Sequence, residues 1–291
     1  MRAYKVVDVF TAIPFAGNPV AVVLDADDLD TAQMQAIARW TNLSETTFLL
    51  TPTHADADYR LRIFTPRSEL PFAGHPTLGS AHAALEAGRV TPNAGALVQE
   101  CGAGLIRIAV DGAGAGASQR LTLAMPKASI TPLAPDDVAE LEAILGQPVR
   151  RDAAPSRIDV GAVWIVAQLQ DAQTVIDLTP DFTRSAAFER RLKATGVSIF
   201  GLHAQGEADV EVRSFAPSCG VDEDPVCGSG NGSIAAFRAL HQGQSGHDTG
   251  YTASQGRCVG RDGRVSLDVA ADGTVSVGGA CVTCVEGTLI S

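Results

Sequence analysis

A chain of 291 residues is about twice the length of a common domain of roughly 100–150 residues, so one or two domains is the expectation. Apolar residues at 45% and charged residues at 19% exclude a disordered chain and allow a sizeable core. With 22 Lys and Arg against 33 Asp and Glu, a net charge of -11 and no basic run longer than a pair, the sequence excludes a nucleic-acid binder; no apolar run approaches the ~20 residues of a membrane span.

The elements follow in chain order. Tyr4–Phe10, broken by Lys5 and Asp8, reads as a strand and not as a signal peptide, which fits a cytoplasmic location. Val20–Leu24 is a second strand, and Asp30–Trp40 a helix with Asp30 as its N-cap. Thr47–Leu50, Tyr59–Phe64, Ala96–Glu100 and Leu105–Val110 continue the strands, while Pro76–Ala87 is a helix ending at Gly88. The glycine-rich run from Gly112 to Ser118 precedes a strand, Arg120–Met125, so it reads as a hairpin turn, because a phosphate loop must open a helix. Pro126–Pro135 reads as a hinge between halves. The second half carries a helix at Pro135–Leu145, a strand at Val163–Leu169, a helix at Asp181–Leu192 and a strand over Thr274–Val285.

The halves repeat. Ala57-Asp-Tyr-Arg-Leu-Arg-Ile-Phe-Thr-Pro66 matches Ala208-Asp-Val-Glu-Val-Arg-Ser-Phe-Ala-Pro217 at Ala, Asp, Arg, Phe and Pro. Pro71-Phe-Ala-Gly74 then falls on Pro225-Val-Cys-Gly228, each ahead of a helix of small residues. Two equivalent helix starts, Gly74-His75-Pro76 and Gly228-Ser229-Gly230, would offer backbone amides and positive dipole ends to a carboxylate or an enolate across an interdomain cleft. Acid–base residues beside them would then move a proton between carbons.

Phe15-Ala-Gly-Asn-Pro19, Leu43-Ser-Glu-Thr-Thr-Phe48, Phe64-Thr-Pro66, Gly74-His75, Glu223-Asp-Pro225 and Gly228-Ser229 together resemble the phenazine-biosynthesis PhzF-like family over essentially the whole chain. The resemblance implies an α/β (α+β) fold of two pseudo-symmetric diaminopimelate epimerase-like domains, each a curled, mostly antiparallel sheet around a central helix. The expected halves are 1–126, with 280–291 available to pack back on it, and 127–279. The resemblance further implies a homodimer, no cofactor, no metal, and a cofactor-independent isomerase acting on a small carboxylate-bearing substrate.

Carried over position by position, Glu45 matches the acid/base glutamate of the family; the residue alone reads equally as a solvated Glu ahead of a strand. Asp224 matches the acidic residue of the Asp-Pro motif, and reads otherwise as a turn residue. His75, at the first turn of its helix, suits a neutral hydrogen-bonding or relay role. Ser229 is its counterpart, a carboxylate contact or a helix cap, and Gly74 and Gly228 let a ligand approach the backbone. Asn18 is a substrate contact or a turn residue. His54, His82, His203, His241 and His247 match no family site and read as structural or surface residues.

Cysteine usage separates the related chemistries. Diaminopimelate epimerase uses two thiols, one at each helix start, whereas here Cys227 stands at the second position and Ala73 at the first. Cys227 is open to a lining role or to a catalytic one as a helix-start thiolate. Cys281-Val-Thr-Cys284 lies in period-two sequence and reads as strand, not redox motif. Two other functions stay open: an amino-acid racemase or epimerase using Cys227, and a non-catalytic carboxylate-binding protein.

Overall fold

Apolar runs put more of the chain into strands than into helices, and the computed structural model describes residues 1–112, 119–241 and 250–290. Residues 113–118, expected as a turn, and His247 lie outside the described residues. The chain forms two compact units, Met1–Leu123 with Gly278–Ser291, and Ala124–Val277.

In the first unit the strands are β1 (Arg2–Val9), β2 (Asn18–Val23), β3 (Thr46–Leu50), β4 (Tyr59–Phe64), β5 (Glu69–Leu70), β6 (Ala96–Cys101), β7 (Gly104–Asp111) and β8 (Arg120–Ala124). β1 pairs antiparallel with β2, and β2 runs parallel to β3. β4 pairs antiparallel with β3 and parallel with β6, and the antiparallel pairs β6–β7 and β7–β8 follow. The last strand of the chain, running Val275–Leu289, pairs with both β1 and β8 and so closes the sheet on itself. Inside lies α2 (Gly74–Glu86), whose small residues bury nine positions on every side, from His75 through Ala84. Helix α1 (Thr31–Thr41) lies outside: Met34 and Ala38 pack with Phe48 and Phe64. Asp30 caps it in a capping box with Gln33, as its position ahead of the helix predicts.

The second unit repeats this plan. β9 (Ser129–Pro132) pairs with β10 (Ser156–Asp159), and β10 with β11 (Val163–Gln168). β11 runs parallel to β12 (Gly196–Leu202), which pairs antiparallel with β13 (Val210–Ala216). β13 continues to β14 (Val221–Asp224) and, in parallel, to β15 (Tyr251–Gln255), which pairs with β16 (Gly263–Val269). The 15-residue β17 (Val275–Leu289) then carries the chain back into the first unit. The central helix is α6 (Gly228–His241), buried from Gly228 to Phe237 except at Ser229. Outside it α3 (Pro135–Leu145) and α5 (Phe182–Leu192), with the short α4 (Ala172–Ile176) beside them, bury Val138, Leu141, Ile144 and Phe188 against Ile165, Ile199 and Phe215. Pro126–Pro135 is not the open hinge expected: four of its residues form β9, and Pro132 is accommodated opposite Ser156.

Strand register turns the repeat into residue equivalences. Thr46 faces Phe64 as Val197 faces Phe215, so Glu45 corresponds to Gly196. Ala21 faces Thr46 as Ile165 faces Val197, so Val20 corresponds to Trp164. Ile63 faces Leu70 as Ser214 faces Asp224, so Leu70 corresponds to Asp224. The helix starts align His75 with Ser229 and Ala73 with Cys227.

Candidate active site

Each unit gathers polar side chains at the start of its central helix. In the first, α1 ends at Asn42 in the left-handed region, and the next few residues bring Glu45 to the edge of β3, where its carbonyl accepts the Ala21 amide at 3.3 Å. Its side chain, 15% exposed, reaches the first turn of α2: Glu45 Oε2 lies 3.2 Å from His75 Nε2. Ala73 gives α2 no side-chain cap, and a Cβ added at Gly74 would meet nothing within 4 Å, so the helix start is open.

Burial pushes the His75 imidazole down to about 3, opposed by a hydrogen bond to the Pro19 backbone. Proline has no N–H, so the ring donates to the Pro19 carbonyl. Since Nε2 faces Glu45, the donor is Nδ1, and the neutral ring presents its Nε2 lone pair to the carboxyl group. Buried Asn18 opens β2 one residue before Pro19, whose backbone the His75 ring reaches. The structure thus brings Glu45, His75, Gly74 and Asn18 together within the first unit.

The second unit brings Asp224, Cys227, Gly228 and Ser229 together. Cys227 is 5% exposed, and its Sγ accepts the Gly230 amide at 3.3 Å, so the thiol caps α6. A Cβ at Gly230 would come within 2.6 Å of Ser198 Oγ and 2.7 Å of Ser214 Oγ, and glycine there lets α6 press onto β12 and β13. Of the two roles open to Cys227, lining and helix-start thiolate, its burial suits the lining one. Burial, followed by the charge of Asp224, pushes the thiol well above its ordinary value, and this outweighs the amide contact. Burial also pushes the Asp224 carboxyl up to about 6, against hydrogen bonds from the Val226 amide and the Cys227 thiol that favour its charge.

Two residues that the sequence did not single out complete this half. Trp164 of β11, 2% exposed, donates its indole N–H to Ser229 Oγ at 3.0 Å. Gln255, at the end of β15, accepts the Cys227 amide at 3.0 Å and the Asn231 side-chain amide at 2.7 Å, and donates to the Asp224 carbonyl at 2.9 Å. It therefore clamps the turn from Asp224 to Cys227. A buried Gln directly before Gly256, and one of only two tryptophans in a period-two strand, were the available signals.

Both units also share a bidentate ion pair beside these groups, Arg62 with Glu69 and Arg213 with Glu223. Of the histidines read as structural, His82 lies 3.3 Å from Thr283 Oγ1 and His203 3.0 Å from Ser254 Oγ. None of the six cysteines is in a disulfide, and Cys281 and Cys284 lie on β17 as their sequence predicts. Among the described residues no group of three or more His, Cys, Asp or Glu is placed to hold a metal, and no helix is long and apolar enough to cross a membrane.

Two units, each a sheet around a central helix whose start gathers polar side chains, make up the diaminopimelate epimerase-like fold. A crystal structure of a PhzF-family phenazine biosynthesis protein from Bacillus anthracis superposes with a TM-score of 0.89 over 99% of both chains at 24% identity. A probable proline racemase from Agrobacterium radiobacter K84 shares the fold more distantly, at a TM-score of 0.66 and 13% identity over 100% of this chain and 93% of that one. The family model described as phenazine biosynthesis-like protein matches residues 7–287, and the chain belongs to that family. Antisense-enhancing sequence 1 of Schizosaccharomyces pombe is 41% identical over 98% of each chain. Trans-2,3-dihydro-3-hydroxyanthranilate isomerase of Pseudomonas fluorescens is 36% identical over 83% of this chain and 81% of its own. The protein is an enzyme of the isomerase class.

Proposed function

We propose that the protein moves a proton between two carbons of a small carboxylate-bearing substrate, with Glu45 as the acid/base. The observation that carries this reading is the 3.2 Å approach of Glu45 Oε2 to a His75 ring kept neutral by burial. As a carboxylate, Glu45 takes the proton from a substrate carbon; the Nε2 lone pair of His75 then receives the resulting Oε2–H as a hydrogen-bond acceptor and holds it aimed. Returning that proton to a second carbon restores the carboxylate, and the substrate leaves as an isomer. Backbone amides at the uncapped start of α2 suit the substrate's carboxylate or the enolate that develops when the C–H bond breaks. Within the second unit, Asp224 and Ser229 offer polar contacts for a ligand at the start of α6.

A two-thiol racemase is disfavoured, because Ala73 stands where the second thiol would be and Cys227 is held protonated. The family resemblance adds homodimerisation, read by light scattering, and a cytoplasmic location. The test is C–H exchange in deuterated water with trans-2,3-dihydro-3-hydroxyanthranilate, the substrate named for the Pseudomonas fluorescens relative, and with carboxylate analogues of it. Exchange by the wild type that disappears in Glu45→Gln supports the reading; equal exchange by both rejects it. Tight binding of such carboxylates with no exchange at any pH would make the protein a binder.

A further inference from the structure

The second unit carries a cavity on the face of its sheet turned away from α6. Ser214 of β13 points toward the central helix, its Oγ 2.7 Å from where a Cβ at Gly230 would stand. Arg213 beside it points the other way and donates to the Val175 and Leu178 carbonyls near the outer helices. Side chains alternate along a strand, so Glu211 shares the outer face with Arg213. Glu211 lies opposite Ser254 of β15, and Ser254 opposite Arg264 of β16. With His203 just after β12 and Arg257 in the loop after β15, these residues line a cavity of about 410 Å³, a size that takes a small molecule.

One oxygen of Glu211 is fully engaged and the other is not. Ser254 Oγ has a single hydrogen, and it goes to Glu211 Oε2 at 2.6 Å and not to the Val210 carbonyl at 3.1 Å, because the shorter, charge-assisted bond is the stronger. His203 Nε2 lies 3.2 Å from the same Oε2 and 3.0 Å from Ser254 Oγ, so it faces two acceptors and carries the hydrogen. Glu211 is 4% exposed, yet its Oε1 has no hydrogen-bond partner among the described residues. A buried carboxylate is costly to hold unless donors complete it. No arginine of the cavity does so: Arg264 is bonded to Asp262 and the Gly263 carbonyl. The exposed Arg257 guanidinium has no hydrogen-bond or ion-pair partner among the described residues, so the space between it and Glu211 stays open.

We propose that this cavity is a binding site for a small zwitterion of the α-amino acid type, whose ammonium donates to Glu211 Oε1 and whose carboxylate is met by Arg257. Both signs are needed. A plain anion would be pressed against the Glu211 carboxylate, and a plain cation would leave the Arg257 guanidinium without an acceptor. The site belongs to the second unit alone. In the first unit, register places Arg60 where Glu211 stands and Glu100 where Ser254 stands. Both oxygens of Glu100 are taken by Thr53 and His54, so that position has no carboxylate oxygen left for an ammonium.

The test is binding, not turnover, so it stands apart from the isomerase reading. The twenty common amino acids are titrated singly into the wild type by calorimetry at neutral pH. Each binder is compared with its N-acetyl derivative, which lacks the ammonium, and its α-carboxamide, which lacks the carboxylate. At least one amino acid is expected to bind. Its affinity should fall roughly 10-fold or more in Glu211→Gln and on N-acetylation, the worth of a charge-assisted hydrogen bond, and by less in Arg257→Ala and on amidation. Binding by none of the twenty at millimolar concentration overturns the proposal, as does full affinity in Glu211→Gln or for the N-acetyl compound. The start of α6 also suits carboxylates, so Ser229→Ala and Glu45→Gln are titrated alongside. Both should bind like the wild type, and loss of binding in either moves the ligand to the candidate active site and rejects the proposal. Where Glu211→Gln fails to fold, the exposed Arg257→Ala decides: weakened binding supports the site, and unchanged binding rejects it.

Discussion

The two units place different side chains on the same backbone plan. In the first unit a charged or proton-bearing pair, Glu45 and His75, stands at the helix start, while the equivalents of Asp224 and Cys227 are Leu70 and Ala73. In the second unit, Glu45 is replaced by Gly196 and His75 by Ser229, and the acid sits on the other side of the helix start as Asp224. Neither unit carries both acids. The division has a steric cause: a Cβ at Gly196 would come within 2.1 Å of the Phe215 carbonyl and 2.7 Å of the Trp164 ring. The indole fills the space in which the first unit keeps its glutamate. The repeat thus keeps one carboxyl group near each helix start, Glu45 in the first unit and Asp224 in the second, at positions that do not correspond.

The comparison can be broken hardest at its two acids. Glu45→Gln should lower the exchange rate by about 10²–10⁴-fold, the usual worth of a general acid–base group, measured as deuterium incorporation. Asp224→Asn should cost less in rate and act chiefly on substrate affinity. The reverse order of effects would mean the roles of the halves are exchanged. Gly196→Ala places one methyl group where the indole already lies. A loss of roughly 3 kcal/mol or more in urea unfolding is expected, because backbone and a buried ring must both move. An unchanged midpoint would show that Trp164 can give way.

Stability against pH separates the halves again. The Asp224 carboxyl titrates at about 6 when folded and near the ordinary ~3.9 when unfolded, so the folded state holds its proton more tightly. Its contribution to stability therefore falls as pH rises from about 4 to about 6 and stays low above that. Asp224→Asn should gain on the order of 1–2 kcal/mol above pH 7, with the gain gone below pH 4. His75 behaves oppositely. Its folded value is lowered to about 3, so the neutral ring favours the native state fully above pH ~6.5, and that contribution is lost as pH falls. In His75→Gln the denaturant midpoint should vary less between pH 6.5 and 4 than in the wild type. The smallest contrast is in the outer helices: Asp30→Ala removes one arm of a reciprocal capping box and Asp181→Ala a single cap on α5. Losses of about 1 kcal/mol are expected, the first the larger.

Much of the scaffold could be read locally. β4 and α3 lie on the residues that alternation and a leading proline assign them, and Asp30 and Asp181 cap their helices because short acids there satisfy the first amides. α2 begins at Gly74, two residues before the expected Pro76, because proline fits any position of a first turn and does not mark which one it occupies. Glu45 and His75 were legible through a pattern spread over 30 residues of sequence, yet their 3.2 Å meeting depends on β3 and α2 converging. Trp164 and Gln255 were not legible. A tryptophan in an alternating strand looks like core, and only the register that pairs Gly196 with it reveals why the core there ends in a donor.

β17 sets an order of events during synthesis. The second unit is one continuous stretch, Ala124–Val277, and can complete its contacts as soon as it has emerged. The first unit has its opening strand waiting for its closing one. One edge of Arg2–Val9 pairs with β2, but its other edge is covered by Cys281–Leu289, and Lys5 on this strand lies against both Glu86 of α2 and Glu286 of β17. The half that carries Glu45 is thus made first and finished last, and until then the edges of β1 and β8 stand open to mispairing.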